Sequence, residues 1–279
     1  LASGATVILY DGSPFAYKGK ILLDLASSER VTFFGVSAKY IDALSKTSIE
    51  PNSLYEFEFL RTIASTGSPL SAEGFDFIYS CFKADVQLAS ISGGTDLVGC
   101  FVLGNPIGPV YKGEIQSSGL GMMVDVLNEK GVSIVGEKGE LVCRNPFMSQ
   151  PIYFWKDQDD VKRIETYFLK YPGFWHHGDY VEKTSHGGFI IHGRSDSTLN
   201  PGGVRIGTAE IYRQVEKVQE VYESLVVGQE YQNDVRIILF VKLREGVFLN
   251  NDLIDKIKHE IRENTTPRHV PSKVIQVPD

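Results

Sequence analysis

Apolar residues in the first third of the chain fall into short runs that alternate with segments of helical period. Val7-Ile-Leu-Tyr10 is β-prone and closes on Asp11-Gly12-Ser13-Pro14, which predicts a buried strand followed by a turn. Val31 to Phe34 predicts a second strand. Between and after such runs lie helical patterns, as in Ala38 to Leu44, where Tyr40, Ile41 and Leu44 share one side. Alternating strands and helices predict that residues 1 to about 110 form part of a layered α/β domain with a mainly parallel sheet.

From residue 111 to 192 the spacing changes to short strands separated by Gly turns: Gly121 to Val126, Gly139 to Cys143, Gly188 to Ile191. This predicts a small β-rich subdomain. After residue 193 a third pattern begins. A helix is expected from Thr208, as N-cap, to about Val218, with Ile211, Val215 and Val218 on one face. Strands are expected at Ser224 to Val227 and Val235 to Leu243. A last helix, Asn251 to Glu263, would turn Leu253, Ile254, Ile257 and Ile261 inward. The expected organisation is residues 1–195 as the C-terminal part of a large domain (1–110 α/β, 111–192 β-rich) and 196–279 as a small α+β domain.

Composition restricts the function classes. The 279 residues suffice for two domains at roughly 150 residues each. Hydrophobic residues at 42% and charged residues at 23% are ordinary for a globular protein and exclude wholesale disorder. A net charge of -7 argues against nucleic acid or an anionic membrane as main partner, since both select clustered Lys and Arg. Cys81, Cys100 and Cys143 are odd in number and lack C-x-x-C spacing, so reduced intracellular thiols are expected rather than disulfides or a zinc site. No apolar run approaches the roughly 18 residues of a membrane span.

Four stretches carry candidate chemistry. In Ile91-Ser-Gly-Gly-Thr-Asp96, glycines bring backbone N–H groups near a phosphate, the Thr hydroxyl donates, and the Asp carboxylate can hold Mg²⁺. Alone, such a turn is structural more often than functional. Ile63-Ala-Ser-Thr-Gly-Ser-Pro69 is a strand end breaking into a turn where backbone can line a flat ligand such as adenine. Trp175-His-His-Gly-Asp179 places a carboxylate after a Gly, where it can accept from vicinal ribose hydroxyls. A metal reading of His176, His177, His186 and His192 is set aside, because adjacent histidines project differently and no acidic partner stands at ligand spacing. The run Gly193 to Tyr212 is the most specific: Arg194 and Arg205 offer rigid forks for ribose or phosphate oxygens, Asp196 lies at the seam between two composition regimes, and Gly202 and Gly203 permit unusual backbone geometry.

Read in order, Gly67-Ser68-Pro69, Thr95-Asp96, Gly178-Asp179 and Gly193 to Tyr212 resemble the serial motifs of the adenylate-forming superfamily, which includes acyl-CoA synthetases, luciferases and peptide-synthetase adenylation domains. The resemblance spans the whole chain. Leu1 to Phe15, Ser92 to Cys100, Trp175 to Asp179, Asn200 to Glu216 and Pro267 to Pro271 narrow it to the acetoacetate-activating branch. It implies the adenylate-forming fold, residues 1–195 as the end of the AMP-binding domain, and 196–279 as its mobile partner.

The resemblance implies roles residue by residue. Gly67, Ser68 and Pro69 would lie along adenine, and Ser90, Ile91, Ser92, Gly93, Gly94 and Thr95 would approach the nucleotide, with Thr95 on the α-phosphate. Asp96 would hold Mg²⁺, standing where the family usually has Glu. Asp179 would take the ribose hydroxyls with help from Arg194, Arg205 would meet phosphate, and Asp196 would be the hinge. Gly202 and Lys258 fall where relatives contact CoA. Gly93 replaces the Trp that floors the acyl pocket of acetate-activating relatives, which implies a deeper pocket and makes Gly93→Trp a test of preference for acetate. Thr95, Asp96 and Arg205 are the expected catalytic set, with Mg²⁺ as cofactor and ATP, CoA and acetoacetate as substrates in the cytosol. The Lys-ending phosphate loop and the adenylation lysine of the family do not occur in these 279 residues, so they read as a fragment with little adenylating activity by itself. Two rival readings stand beside this one: a ligase for another short acid, and a nucleotide-binding protein without catalysis.

Overall fold

The computed structural model describes residues 3–201, 204, 206–231 and 234–278. Internal contacts divide the chain into two units, Leu1–Ala89 and Ser90–Asp279. In the first, α1 (Ile21–Ser28), β1 (Phe33–Ser37), α2 (Ala38–Ser45), α3 (Pro51–Leu54), β2 (Thr62–Thr66), α4 (Ala72–Phe77) and β3 (Gln87–Ser90) follow in order. β1 and β2 run parallel, Phe33 opposite Thr62 through Ser37 opposite Thr66, and β3 completes the order β1-β2-β3. Phe34 and Val36 point inward from β1, as the two-residue period of a strand requires. β1 starts later than the apolar run suggests, because the Val31 N–H is taken by the Ala26 carbonyl at the end of α1.

α2 has the expected inward face of Tyr40, Ile41 and Leu44. Ser37 caps it, its hydroxyl accepting from the Tyr40 N–H at 3.1 Å. The Tyr40 hydroxyl, although buried, donates to the Gly19 carbonyl at 2.8 Å, so its polar tip is satisfied. The strand expected at Val7 to Tyr10 does not form: these residues are irregular, and Leu9 is 88% exposed. Four β-prone residues make a ladder only against a neighbouring strand, and no described strand pairs with them.

The second unit begins with β4 (Ser92–Gly94), β5 (Gly99–Leu103) and β6 (Ser117–Ser118), an antiparallel sheet. Next come β7 (Val124–Leu127), β8 (Lys138–Cys143), α5 (Val161–Tyr167), β9 (Trp175–Lys183) and β10 (Phe189–Arg194), the four strands pairing antiparallel in the order β10-β9-β8-β7. Leu97, Phe101, Val126, Leu141, Trp175 and Phe189 belong to one core. α6 (Thr208–Val215), β11 (Val221–Tyr231), β12 (Asp234–Leu243), α7 (Asn251–Asn264) and β13 (Lys273–Gln276) surround another, built on Ile206, Ile211, Leu239, Ile257 and Ile261. The seam expected at 195–196 lies inside this second unit, between the residues of the two cores.

Three helix details differ from expectation. Gly207, not Thr208, is the N-cap of α6: the Glu210 carboxylate accepts its N–H at 3.0 Å, and Thr208 is the buried first helical residue. The helix also ends at Val215, leaving Val218 buried in the turn beyond it. On α7, Leu253, Ile257 and Ile261 face inward at four-residue spacing while Ile254 is only half-buried. Among the described residues no helix is long and apolar enough to cross a membrane.

Candidate functional site

Gly67, Ser68 and Pro69 follow β2 in the first unit, at the C-terminal end of a parallel strand, the end where open α/β sheets bind ligands. Gly67 has φ +86°, a left-handed conformation that glycine adopts without strain. Ser90 is buried at the end of β3, and Ile91 links it to the β4–β5 hairpin that carries the remaining members of the motif. Thr95 to Val98 form the hairpin turn, closed by the Val98 N–H on the Thr95 carbonyl at 3.1 Å, and both Thr95 and Asp96 are exposed.

Gly93 and Gly94 have steric reasons to lack side chains. A Cβ on Gly93 would stand 2.0 Å from the Gly99 carbonyl oxygen across the hairpin. One on Gly94 would stand 3.0 Å from His177 Cε1. Gly93→Trp would therefore displace the hairpin itself, so the substitution does not isolate the depth of an acyl pocket.

The hairpin meets β9 and β10 at a polar cluster centred on Asp179, which is 7% exposed. The Ser92 hydroxyl donates to Asp179 Oδ2 at 3.3 Å, and Arg194 Nη1 donates to Asp179 Oδ1 at 3.2 Å and to the His177 carbonyl at 3.0 Å. A buried carboxylate needs such donors to remain charged. Gly178 makes the Arg194 contact possible, since a Cβ at this residue, at φ +79°, would lie 2.8 Å from Arg194 Nη2. Ser92, Asp179 and Arg194 are thus brought together as the motifs imply.

Sequence reasoning passed over the aromatic and histidine framework behind this cluster. The Trp175 indole donates to His177 Nδ1 at 3.4 Å, which leaves His177 Nε2 to donate to the Gly93 carbonyl at 3.1 Å. Burial pushes the His177 pKa down, against the raising effects of the Asp179 charge and the Gly93 carbonyl, and this favours a neutral ring. Tyr167, the last residue of α5, stacks on Trp175 with centroids 3.7 Å apart and planes at 18°. Its hydroxyl donates to Asp96 Oδ2. Burial and the Asp96 carboxylate raise the Tyr167 pKa far above the ordinary phenol value, so it stays a donor. The one signal in the sequence was the density of aromatics ahead of Gly178-Asp179.

Asp196 lies in a short 3₁₀ turn, Ser195–Ser197, with a side chain 73% exposed and an oxygen 3.6 Å from Arg194 Nε. This turn is tied to β8, since the Ser195 hydroxyl donates to Glu140, a carboxylate only 1% exposed that also accepts from Lys170 at 2.6 Å and His176 at 2.9 Å. Burial alone would raise the Glu140 pKa, but these donors and the Lys170 charge hold it well below the usual carboxylate range. Two residues earlier on β8, Lys138 reaches Glu210 of α6 at 2.6 Å. Lys258 is half-buried on α7, with no described hydrogen bond or ion pair to the other candidates. Gly202, Gly203 and Arg205 lie outside the described residues.

His176 pairs with Glu140, His186 with Glu114 at 3.0 Å, and His192 lies 3.5 Å from Glu182, so the histidines face different carboxylates. Among the described residues no three His, Cys, Asp or Glu side chains converge as a metal cage. Asp96 beside Thr95 fits another mode: one exposed carboxylate with hard oxygen donors suits Mg²⁺ that completes its shell with substrate phosphates.

Residues 1–153 match the family model described as AMP-binding enzyme. The chain belongs to this family. Among its relatives, the acetoacetyl-coenzyme A synthetase of Rhizobium meliloti (strain 1021) is 57% identical over 279 residues, covering 100% of this chain and 43% of that protein. The acetoacetyl-CoA synthetase of Macaca fascicularis is 44% identical over 278 residues, covering 99% of this chain and 41% of that protein. The solved acetoacetyl-CoA synthetase from Streptomyces lividans superposes with TM-score 0.88 at 43% identity, over 97% of this chain and 41% of that one. This AMP-binding enzyme chain therefore has the adenylate-forming fold expected from its motifs, and it spans less than half the length of these relatives.

Proposed function

We propose that the protein is an AMP-forming acid–thiol ligase that converts acetoacetate, ATP and CoA to acetoacetyl-CoA, AMP and pyrophosphate. The observation that carries the nucleotide half is the Asp179 cluster, a buried charged acceptor fixed by Ser92 and Arg194 beside a glycine-rich hairpin. The 57% identity to the Rhizobium meliloti protein along the whole chain supports acetoacetate as the acid.

In the first half-reaction a carboxylate oxygen of the acid attacks the α-phosphorus of ATP, and the bond to pyrophosphate breaks. In the second the CoA sulfur attacks the acyl carbonyl, AMP leaves, and the thiol proton passes to solvent. Asp179 accepts the two ribose hydroxyls and so orients the nucleoside. Thr95 donates to the α-phosphate, while Gly67 to Pro69 lie along the adenine. Asp96 would hold Mg²⁺, which when bound would supply charge neutralisation between the two anions. Asp196 is the hinge on which residues 197–279 turn between the half-reactions, bringing Gly202, Arg205 and Lys258 toward phosphate or CoA. A cytosolic location belongs to the same proposal and rests on Cys81, Cys100 and Cys143, all free thiols.

The test is a panel of short acids given to the full-length protein with ATP and CoA, reading acyl-CoA formed. Acetoacetate should show the highest kcat/KM. A higher value for butyrate or acetate would replace the acid, and no acyl-CoA from any acid would remove the ligase reading.

A further inference from the structure

We infer that Tyr167 is a positioning residue for the Asp96 carboxylate, presenting it to a nucleotide-bound cation in one orientation. The inference rests on the ligase reading for the cation's role, and on geometry for the rest. Asp96 is itself exposed, in a four-residue turn that Leu97, 0% exposed, seats in the core and whose last member, Val98, has φ +49° and is 85% exposed. The described partner of its carboxylate is the Tyr167 hydroxyl, which donates to Asp96 Oδ2.

That hydroxyl is itself located by the core. The Tyr167 ring lies on Trp175, which is 1% exposed, and Phe154 packs edge-on against it at 6.1 Å and 77°. Trp175 is held in turn by Phe147 and Phe168, edge-on at 5.4 and 5.8 Å, and by its bond to His177. The position of one exposed carboxylate is therefore fixed through two stacked rings by buried residues of β9. Outer hydrogen bonds of this kind orient metal-binding carboxylates, and their loss typically weakens metal affinity by about 10 to 100-fold. The resemblance places Glu where this chain has Asp96. The shorter side chain reaches less far from the turn and gains more from an external anchor.

The test uses Mn²⁺ as the probe, titrated into full-length protein saturated with α,β-methylene-ATP and followed by the loss of the free-ion electron paramagnetic resonance signal. Tyr167→Phe keeps both rings stacked and removes only the hydroxyl. It should weaken Mn²⁺ binding by about tenfold, with thermal unfolding unchanged. In an Asp96→Asn background the same substitution should have no further effect, because it acts through that carboxylate. Mn²⁺ affinity of Tyr167→Phe within twofold of the unaltered protein would overturn the inference, and so would equal weakening in both backgrounds. Failure of the ligase reading is separate, since it appears as absence of acyl-CoA in the unaltered protein.

Discussion

Gly178 shows how a single missing Cβ shapes the site. The sequence marks it only as the residue before Asp179, whereas the structure gives it a reason: at φ +79° it leaves room for the Arg194 guanidinium, which a Cβ would approach at 2.8 Å. Gly178→Ala should push Arg194 from Asp179 and strain the backbone. The backbone cost alone is about 1–2 kcal/mol, roughly a tenfold effect. That cost should appear as lost unfolding stability, while displacement of Arg194 should appear as a raised KM for ATP with a smaller change in kcat, measured by acyl-CoA formation in the full-length protein. An unchanged KM would mean that Arg194 does not serve the nucleotide. Asp179 and Arg194 could be read from sequence because charged residues beside glycines stand out. Tyr167 and His177 could not, because aromatic residues in a buried segment look like core, which Trp175 also is.

At the scale of elements, β8 was legible as a strand but not as an anchor. Its period of two puts Lys138 and Glu140 on the same face, from which one reaches Glu210 of α6 and the other Ser195 of the turn after β10. The available signal was a carboxylate at the head of the apolar run Leu141-Val-Cys143. Sequence reading missed it because burial of a charge depends on partners distant in the chain, here Lys170, His176 and Ser195. Replacing the carboxylate by an amide leaves three donors, from Lys170, His176 and Ser195, to one neutral oxygen and turns an NH₂ group toward them. Breaking a buried ion pair typically costs about 3–5 kcal/mol, so Glu140→Gln should lower unfolding stability by about 3 kcal/mol near neutral pH. Urea unfolding monitored by tryptophan fluorescence measures this, and a loss under about 1 kcal/mol would show the cluster to be ornamental. The failed strand at Val7 to Tyr10 has the same cause in reverse: local β-propensity without a pairing partner.

For the molecule as a whole, motif order was the strongest signal, since four spaced motifs survive without knowledge of any contact. Ionisation is where the folded chain adds what no motif carries. His192 is 6% exposed, and neither ring nitrogen makes a hydrogen bond. Burial first, and then the nearby Lys138 and Arg213 charges against the opposing Glu210, lower its pKa to about 4. The unfolded chain therefore binds a proton at this site from about pH 6.5 downward while the folded one does not, and stability falls as pH drops from 6.5 toward 4. His177, also lowered by burial, acts in the same direction below about pH 6.5. Glu210, lowered to about 2 because donors from His269, Lys138 and Gly207 outweigh its burial, contributes stability above about pH 4.5 that is lost between 4.5 and 2. Acid should thus destabilise the fold in two steps, histidine first and carboxylate second. The His192 share is on the order of 3 kcal/mol. His192→Leu removes the titrating ring and leaves Glu182 without its neighbour at 3.5 Å, so relative to the variant's own stability at pH 7 the slope between pH 6.5 and 4.5 should flatten while the steeper loss below 4.5 remains. Urea midpoints across that pH range decide it: an unchanged slope in the variant would mean that His192 is already protonatable in the folded state, and that the contact between β10 and α6 is open to water.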